Sequence, residues 1–174
     1  MRAVESRYSA EHHMASVNLI FDNEQTAYIR ELSEKMNLDF GEFIPHATLI
    51  NVTEQDIPRL KLAAAALPSL DKLVLDGVNF LPDEAGNCVC VELRVQKTSW
   101  MVEVRRKLLE ILDDIHPGLD IDGFRPHITL GIVEAGTLGD VDMSAIPRQL
   151  PVITKPRAAA CYNGMHGKVV EVVE

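Results

Sequence analysis

Pro45-His46-Ala47-Thr48-Leu49 returns as Pro126-His127-Ile128-Thr129-Leu130, 81 positions further along the chain. A histidine and a threonine separated by one small or branched apolar residue fit a β-strand, where residues i and i+2 share a face. His46 then stands beside Thr48, and His127 beside Thr129, while Ala47, Leu49, Ile128 and Leu130 point into a core. Each half of the chain offers one titratable imidazole and one hydroxyl side by side. If the halves face each other, two imidazoles flank one cavity together with two hydroxyl donors. One copy alone would read as a strand with a buried, hydrogen-bonded histidine. Two copies in matching places favour a shared site.

Outward from the motifs, residues 16–21 (SVNLIF) are a strand by their apolar content. Asp22 suits the N-cap of a helix over about 23–36, with Ala27, Ile29, Leu32 and Met36 along one side. A loop leads to the first motif strand, 44–52. Thr53, with Asp56 three positions on, is expected to open a second helix through about Ala66, closed by Pro68. Strands follow at about 72–80 and 87–95, joined by turn-rich residues 81–86. The longest helix, about 99–115, carries Met101, Val104, Leu108, Ile111, Leu112 and Ile115 as an apolar stripe, and Pro117-Gly118 ends it. The second motif strand occupies 126–133. Pro147, Pro151 and Pro156 mark an irregular stretch before a last strand pair, 157–162 and 168–173, turning at 163–167.

Each half thus runs strand, helix, motif strand and a connection to further strands. The fold class expected is α+β: a bilobal, pseudo-twofold arrangement of two mainly antiparallel sheets facing a central cleft, helices outside. Residues 1–15 are expected to be a disordered polar leader and 16–174 a single bilobal domain, since no flexible linker interrupts them.

The net charge of −9 and pI near 5.1 argue against extended nucleic-acid binding, which draws on a face of Lys and Arg. A small phosphorylated ligand or an RNA end fits the same charge. No apolar run resembles a secretory signal, and the longest apolar stretch, 60–70, is too short to span a bilayer, so a cytoplasmic protein without membrane association is expected. Cys88, Cys90 and Cys161 lack both a disulfide framework and C-x-x-C spacing and read as reduced thiols. His12, His13, His116, His166 and the Asp113-Asp114 pair read as solvated groups. Phe43 and Phe124 read as packing residues, and Tyr162 as one able to stack on a base.

The tetrads His46-Ala47-Thr48-Leu49 and His127-Ile128-Thr129-Leu130 resemble the paired His-x-Thr-x elements of the 2H phosphoesterase superfamily. That group contains bacterial 2′-5′ RNA ligases and 2′,3′-cyclic phosphodiesterases. The resemblance runs, in order and spacing of elements, from about residue 16 to the C-terminus. It implies a bilobal fold with His46, Thr48, His127 and Thr129 lining a central cleft, no metal and no cofactor. It also implies a nucleotide or RNA-end substrate carrying a cyclic phosphate or a 2′-5′ linkage. Members of the ligase type often have a basic residue just after the second tetrad, where this chain has Gly131-Ile132-Val133. Arg125, two residues before His127, is the candidate to supply that charge. Arg125 and Tyr162 are the expected substrate-binding residues, and a monomer is expected.

Two histidines on opposite sides of a phosphorus can serve as base and acid, because imidazole titrates near neutral pH, with threonine hydroxyls donating to the non-bridging oxygens. Which histidine takes which role stays open at this stage. The leading expectation is a metal-independent phosphodiesterase acting on 2′,3′-cyclic phosphates, with 2′-5′ ligation as the related activity. The alternative is a non-catalytic module binding nucleotide or RNA ends in the same cleft. Zinc hydrolysis through His46 and His127 is weaker, since no third ligand stands at close spacing to either.

Overall fold

Every residue of strand β1 (Ala15–Ile20) is buried, including Ser16 and Asn18, because neighbouring strands flank it and both its faces are covered. The computed structural model describes residues 15–83, 85–115, 123–164 and 168–174; the expectations for His12, His13, His116, His166 and Pro117-Gly118 fall outside them. In these residues β1 is followed by α1 (Asn23–Lys35), β2 (His46–Val52), α2 (Ile57–Ala65), β3 (Lys72–Pro82) and β4 (Cys88–Val95). Then come α3 (Ser99–Ile111), β5 (His127–Glu134), two 3₁₀ turns (Ala135–Asp140 and Met143–Ala145), β6 (Val152–Thr154), β7 (Arg157–Asn163) and β8 (Val169–Val173).

The strands form two antiparallel four-stranded sheets, ordered β2-β1-β7-β8 and β5-β4-β3-β6, so the fold is α+β. Each motif strand is the edge of its sheet, and β2 and β5 lie against each other. The sheets are not successive halves of the chain. The C-terminal strands β7 and β8 complete the N-terminal sheet, while the β3–β4 hairpin belongs to the other. One apolar cluster contains Val17, Leu19, Leu49 and Ile50 from the first sheet and Val91, Leu93, Ile128 and Leu130 from the second, together with Ile29 and Leu32 of α1 and Met101 and Leu108 of α3.

The caps follow local chemistry. Asp22 accepts from the Gln25 amide at 2.8 Å, and Thr98 from the Met101 amide at 3.4 Å. The second helix departs from expectation: Asp56, not Thr53, is its N-cap, accepting from the Arg59 amide at 3.2 Å. The Thr53 hydroxyl donates instead to the Ile115 carbonyl at 3.0 Å. The third helix stops at Ile111 rather than 115. There Arg59 donates to the Ile111 carbonyl at 2.6 Å and grips Asp114 at 2.6 and 3.0 Å, while Leu112 and Ile115 still pack into the core. The short strand β6 and both 3₁₀ turns lie in the stretch that the sequence marks only as irregular; three residues are too few to show a period.

The motif strands carry matching irregularities. Val17 pairs with Ile50 and Asn18 with Thr48, leaving Leu49 as an extra residue in the ladder. Val91 pairs with Gly131 and Glu92 with Thr129, leaving Leu130 extra. Each is a β-bulge immediately after the motif threonine, and the extra residue is left without a ladder partner. Its carbonyl is bonded by a helix that begins in the other sheet. Ser33 of α1 donates its hydroxyl to the Leu130 carbonyl at 2.7 Å, and Arg105 of α3 donates to the Leu49 carbonyl at 2.7 Å. Both braces are buried, Ser33 at 0% exposure and Arg105 at 4%. Replacing Ser33 with Ala would orphan a buried carbonyl. The expected outcome is a loss of about 1–3 kcal/mol in unfolding free energy, read from urea denaturation at neutral pH.

Candidate active site

Directly paired residues on neighbouring antiparallel strands share a sheet face. On β2, His46 pairs with Ile20 and Thr48 with Asn18; on β5, His127 pairs with Arg94 and Thr129 with Glu92. These eight side chains therefore stand on the faces turned away from the main core. His46, Thr48, His127 and Thr129 are half-buried, whereas Ala47, Leu49, Ile128 and Leu130 between them are fully buried. The alternation read from the sequence is present in both strands.

The two imidazoles are held in the same way. His46 Nδ1 lies 2.7 Å from the Ile44 carbonyl oxygen, and His127 Nδ1 lies 2.9 Å from that of Arg125. A carbonyl can only accept, so in each ring Nδ1 carries the hydrogen and Nε2 is the atom left for chemistry. The rings also feel one another. His46 is held down, from 6.5 to about 4, first by desolvation and last by repulsion from His127, with the Ile44 bond opposing both. The desolvation has a visible source: Ile20, Ala159, Cys161 and Val169 form a small apolar cluster on this face, with Ile44 packed against it.

Beyond the four motif residues, the structure brings in groups that no local sequence motif marks. Asn18 and Glu92 are buried beside the two threonines, at 0% and 1% exposure. Asn18 Nδ2 donates to Ser16 Oγ at 2.6 Å, and Ser16 Oγ donates to Asn163 Oδ1 at 2.8 Å. Glu92 Oε1 accepts from Asn79 at 3.3 Å and pairs with Arg125; its Oε2 lies 3.6 Å from His127 Nε2. Cys90 bonds Thr129 and sits near Glu92; burial and then that carboxylate push its thiol up to about 11, which keeps it protonated. Lys168 lies over the Phe43 ring, 3.8 Å from its centroid, and partial burial lowers its pKa against the pull of Asp39 and Cys90. The available sequence signal was a polar residue inside a mainly apolar strand: Asn18 in SVNLIF and Glu92 in CVCVELRV.

Arg125 reaches the site, with its guanidinium on Glu92. Tyr162 is not brought there: it pairs with Ala15, whose face is that of the core, and it packs against the main apolar cluster. At position 131, directly after the second tetrad, the backbone is crowded by its neighbours. A Cβ there would stand 3.0 Å from Leu38 Cβ and 3.3 Å from the Asp39 carbonyl oxygen. Phe124 joins the core under Arg105, 5.4 Å from its guanidinium, and Asp114 is engaged by Arg59. Among the described residues no three His, Cys, Asp or Glu side chains gather as a metal-ligand set, and no helix is long and apolar enough to cross a membrane.

No protein-family model matches the chain, and no curated protein matches it significantly. Solved structures do. A phosphoesterase crystal structure aligns over 94% of this chain and 97% of its own, at 14% identity and a TM-score of 0.52. The two-sheet fold is therefore one that a phosphoesterase also uses. Kluyveromyces marxianus Usb1 with uridine monophosphate aligns over 78% of this chain and 77% of its own, at 11% identity and a TM-score of 0.42. A second structure of that Usb1 aligns over 79% and 77%, at 11% identity and a TM-score of 0.44.

The depressed His46 has a consequence for stability. Between about 4 and 6.5 the unfolded chain binds a proton on this residue that the folded protein does not. Stability therefore rises with pH through that window and is lost as pH falls from 6.5 toward 4. The ceiling on this contribution is about 3 kcal/mol, since each unit of pKa corresponds to about 1.4 kcal/mol. Urea unfolding of the wild type and His46→Asn at several pH values should show a shallower slope for the variant in that window.

Proposed function

We propose that the protein is a metal-independent phosphodiesterase that opens 2′,3′-cyclic phosphates of nucleotides or RNA ends by two-histidine acid–base catalysis, acting as a monomer. The observation that carries this reading is the pair of imidazoles on abutting edge strands, each tied at Nδ1 and each with Nε2 left for chemistry. A fold shared with a phosphoesterase agrees with it.

In this reaction water attacks phosphorus in line while the opposite P–O ester bond breaks. One Nε2 takes the proton from water, and the other gives a proton to the departing ribose oxygen. The Thr48 and Thr129 hydroxyls donate to the non-bridging oxygens as charge builds on them. Arg125, more exposed than the carboxylate it pairs with, lends positive charge to the substrate side. With an RNA hydroxyl in place of water, the same groups would join ends through a 2′-5′ linkage.

The test is turnover of 2′,3′-cyclic nucleotides and 2′-5′-linked dinucleotides by the purified protein. His46→Ala and His127→Ala should each lower kcat/KM by about 10²–10⁴-fold while the circular dichroism spectrum stays native. Thr48→Val or Thr129→Val should cost about 2–4 kcal/mol of transition-state stabilisation. Chelator should leave activity unchanged. Full activity in either histidine variant would overturn the mechanism, and nucleotide binding without turnover would favour the binding-module reading.

A further inference from the structure

The two motif strands are near copies in their Nδ1 bonds, in their bulges, and in the buried polar residue beside each threonine. They differ in what that residue is. Beside Thr48 stands Asn18, which is neutral; beside Thr129 stands Glu92, a carboxylate at 1% exposure. The neighbour across from each histidine differs as well, Ile20 beside His46 and Arg94 beside His127. We propose that Glu92 is a positioning residue that breaks the pseudo-symmetry of the site, holding the proton on His127 so that this ring is the acid and His46 the base. The proposal rests on the two-histidine reading above and assigns the roles that the repeat alone leaves open.

The geometry suits an electrostatic partner better than a competing acceptor. At 3.6 Å, Glu92 Oε2 lies beyond hydrogen-bond reach of His127 Nε2, yet close enough to favour an imidazolium. The Nε2 hydrogen therefore stays available to a leaving oxygen. Oε1 is occupied by Arg125 and Asn79, which fixes the carboxylate so that its other oxygen, with no hydrogen-bond partner of its own, faces the ring. The other charges named around His127 have partners of their own. Arg94 leans away over Gly77, donating to Asp76 Oδ1 at 2.5 Å and to the Asp76 carbonyl at 3.0 Å. Arg125 partly offsets Glu92, Lys168 sits toward Cys90 and Asp39, and His46 repels a proton on His127 only when charged itself. On the other side, Asn18 brings no charge and Ile20 brings an apolar wall, so the Ile44 carbonyl bond that favours a proton on His46 is outweighed by desolvation.

Two readouts test this, one of which needs no turnover. Titration of the imidazole carbon-bound protons by NMR in the free protein should show the 127 ring taking its proton before the 46 ring as pH falls. In Glu92→Gln, which keeps the shape and can still bond Arg125, the 127 transition should move down by about 1 pH unit. With a 2′,3′-cyclic nucleotide as substrate, the alkaline limb of the kcat/KM profile should move down equally, leaving the acid limb in place. Glu92→Asp should restore much of the shift. Arg125→Gln, which strips the carboxylate of its counter-ion, should move the same limb upward, and it carries the test if Glu92→Gln does not fold. An unmoved 127 transition in natively folded Glu92→Gln, or movement of the acid limb instead, would overturn the proposal. If the wild type turns over no cyclic phosphate, the functional reading falls, while the NMR titration still decides the role of Glu92.

Discussion

Two buried hydrogen bonds, from Ser33 to the Leu130 carbonyl and from Arg105 to the Leu49 carbonyl, hold this molecule in register. A β-bulge interrupts the ladder bonding of its extra residue, and a buried carbonyl without a partner is costly. Here each bulge lies directly after a motif threonine, and each freed carbonyl is bonded by the helix that starts in the opposite sheet. The lobes are cross-braced at the positions where a shift of one residue would turn His46 or His127 to the wrong face. The braces also bring the edge strands β2 and β5 together, and with them the two imidazoles.

The polarity of the site follows from unequal surroundings on that common frame. The first sheet surrounds His46 with Ile20, Ile44, Ala159 and Val169, and an imidazolium there would lose hydration. The second sheet surrounds His127 with ions: Glu92 within 3.6 Å, Arg125 on that carboxylate, and Arg94 drawn off to Asp76. Arg125 and Asn79 on the other oxygen of Glu92 offset part of the cost of burying it. A protein of net charge −9 thus keeps a local arrangement in which one acid is buried and its charge is directed at one ring.

Close packing also accounts for the glycine directly after the second tetrad. The chain at Leu38–Asp39 lies so close on Gly131 that a side chain there would push these neighbours back by a few tenths of an ångström. Positive charge reaches the cleft from two other places, Arg125 before the motif and Lys168 at the start of β8, the latter resting on Phe43.

A few neighbouring residues were enough to settle part of this structure. The i, i+2 spacing of His and Thr put them on one face of a strand, the intervening apolar residues set the core side, and Asp22 marked a helix start. Where local chemistry offered rivals, it chose poorly: Thr53 and Asp56 both suit an N-cap, and the distant Ile115 carbonyl claimed Thr53. Pairing between remote segments settled the rest, which no local stretch of the chain encodes. Tyr162 could have faced either way, since the face of a strand residue is set by register, and pairing with Ala15 turned it toward the core. Glu92 was visible as an acid in a mainly apolar strand, but its partners, Arg125 and His127, lie more than thirty positions away. Periodicity cannot report such a contact, because it is created when β5 docks beside β4.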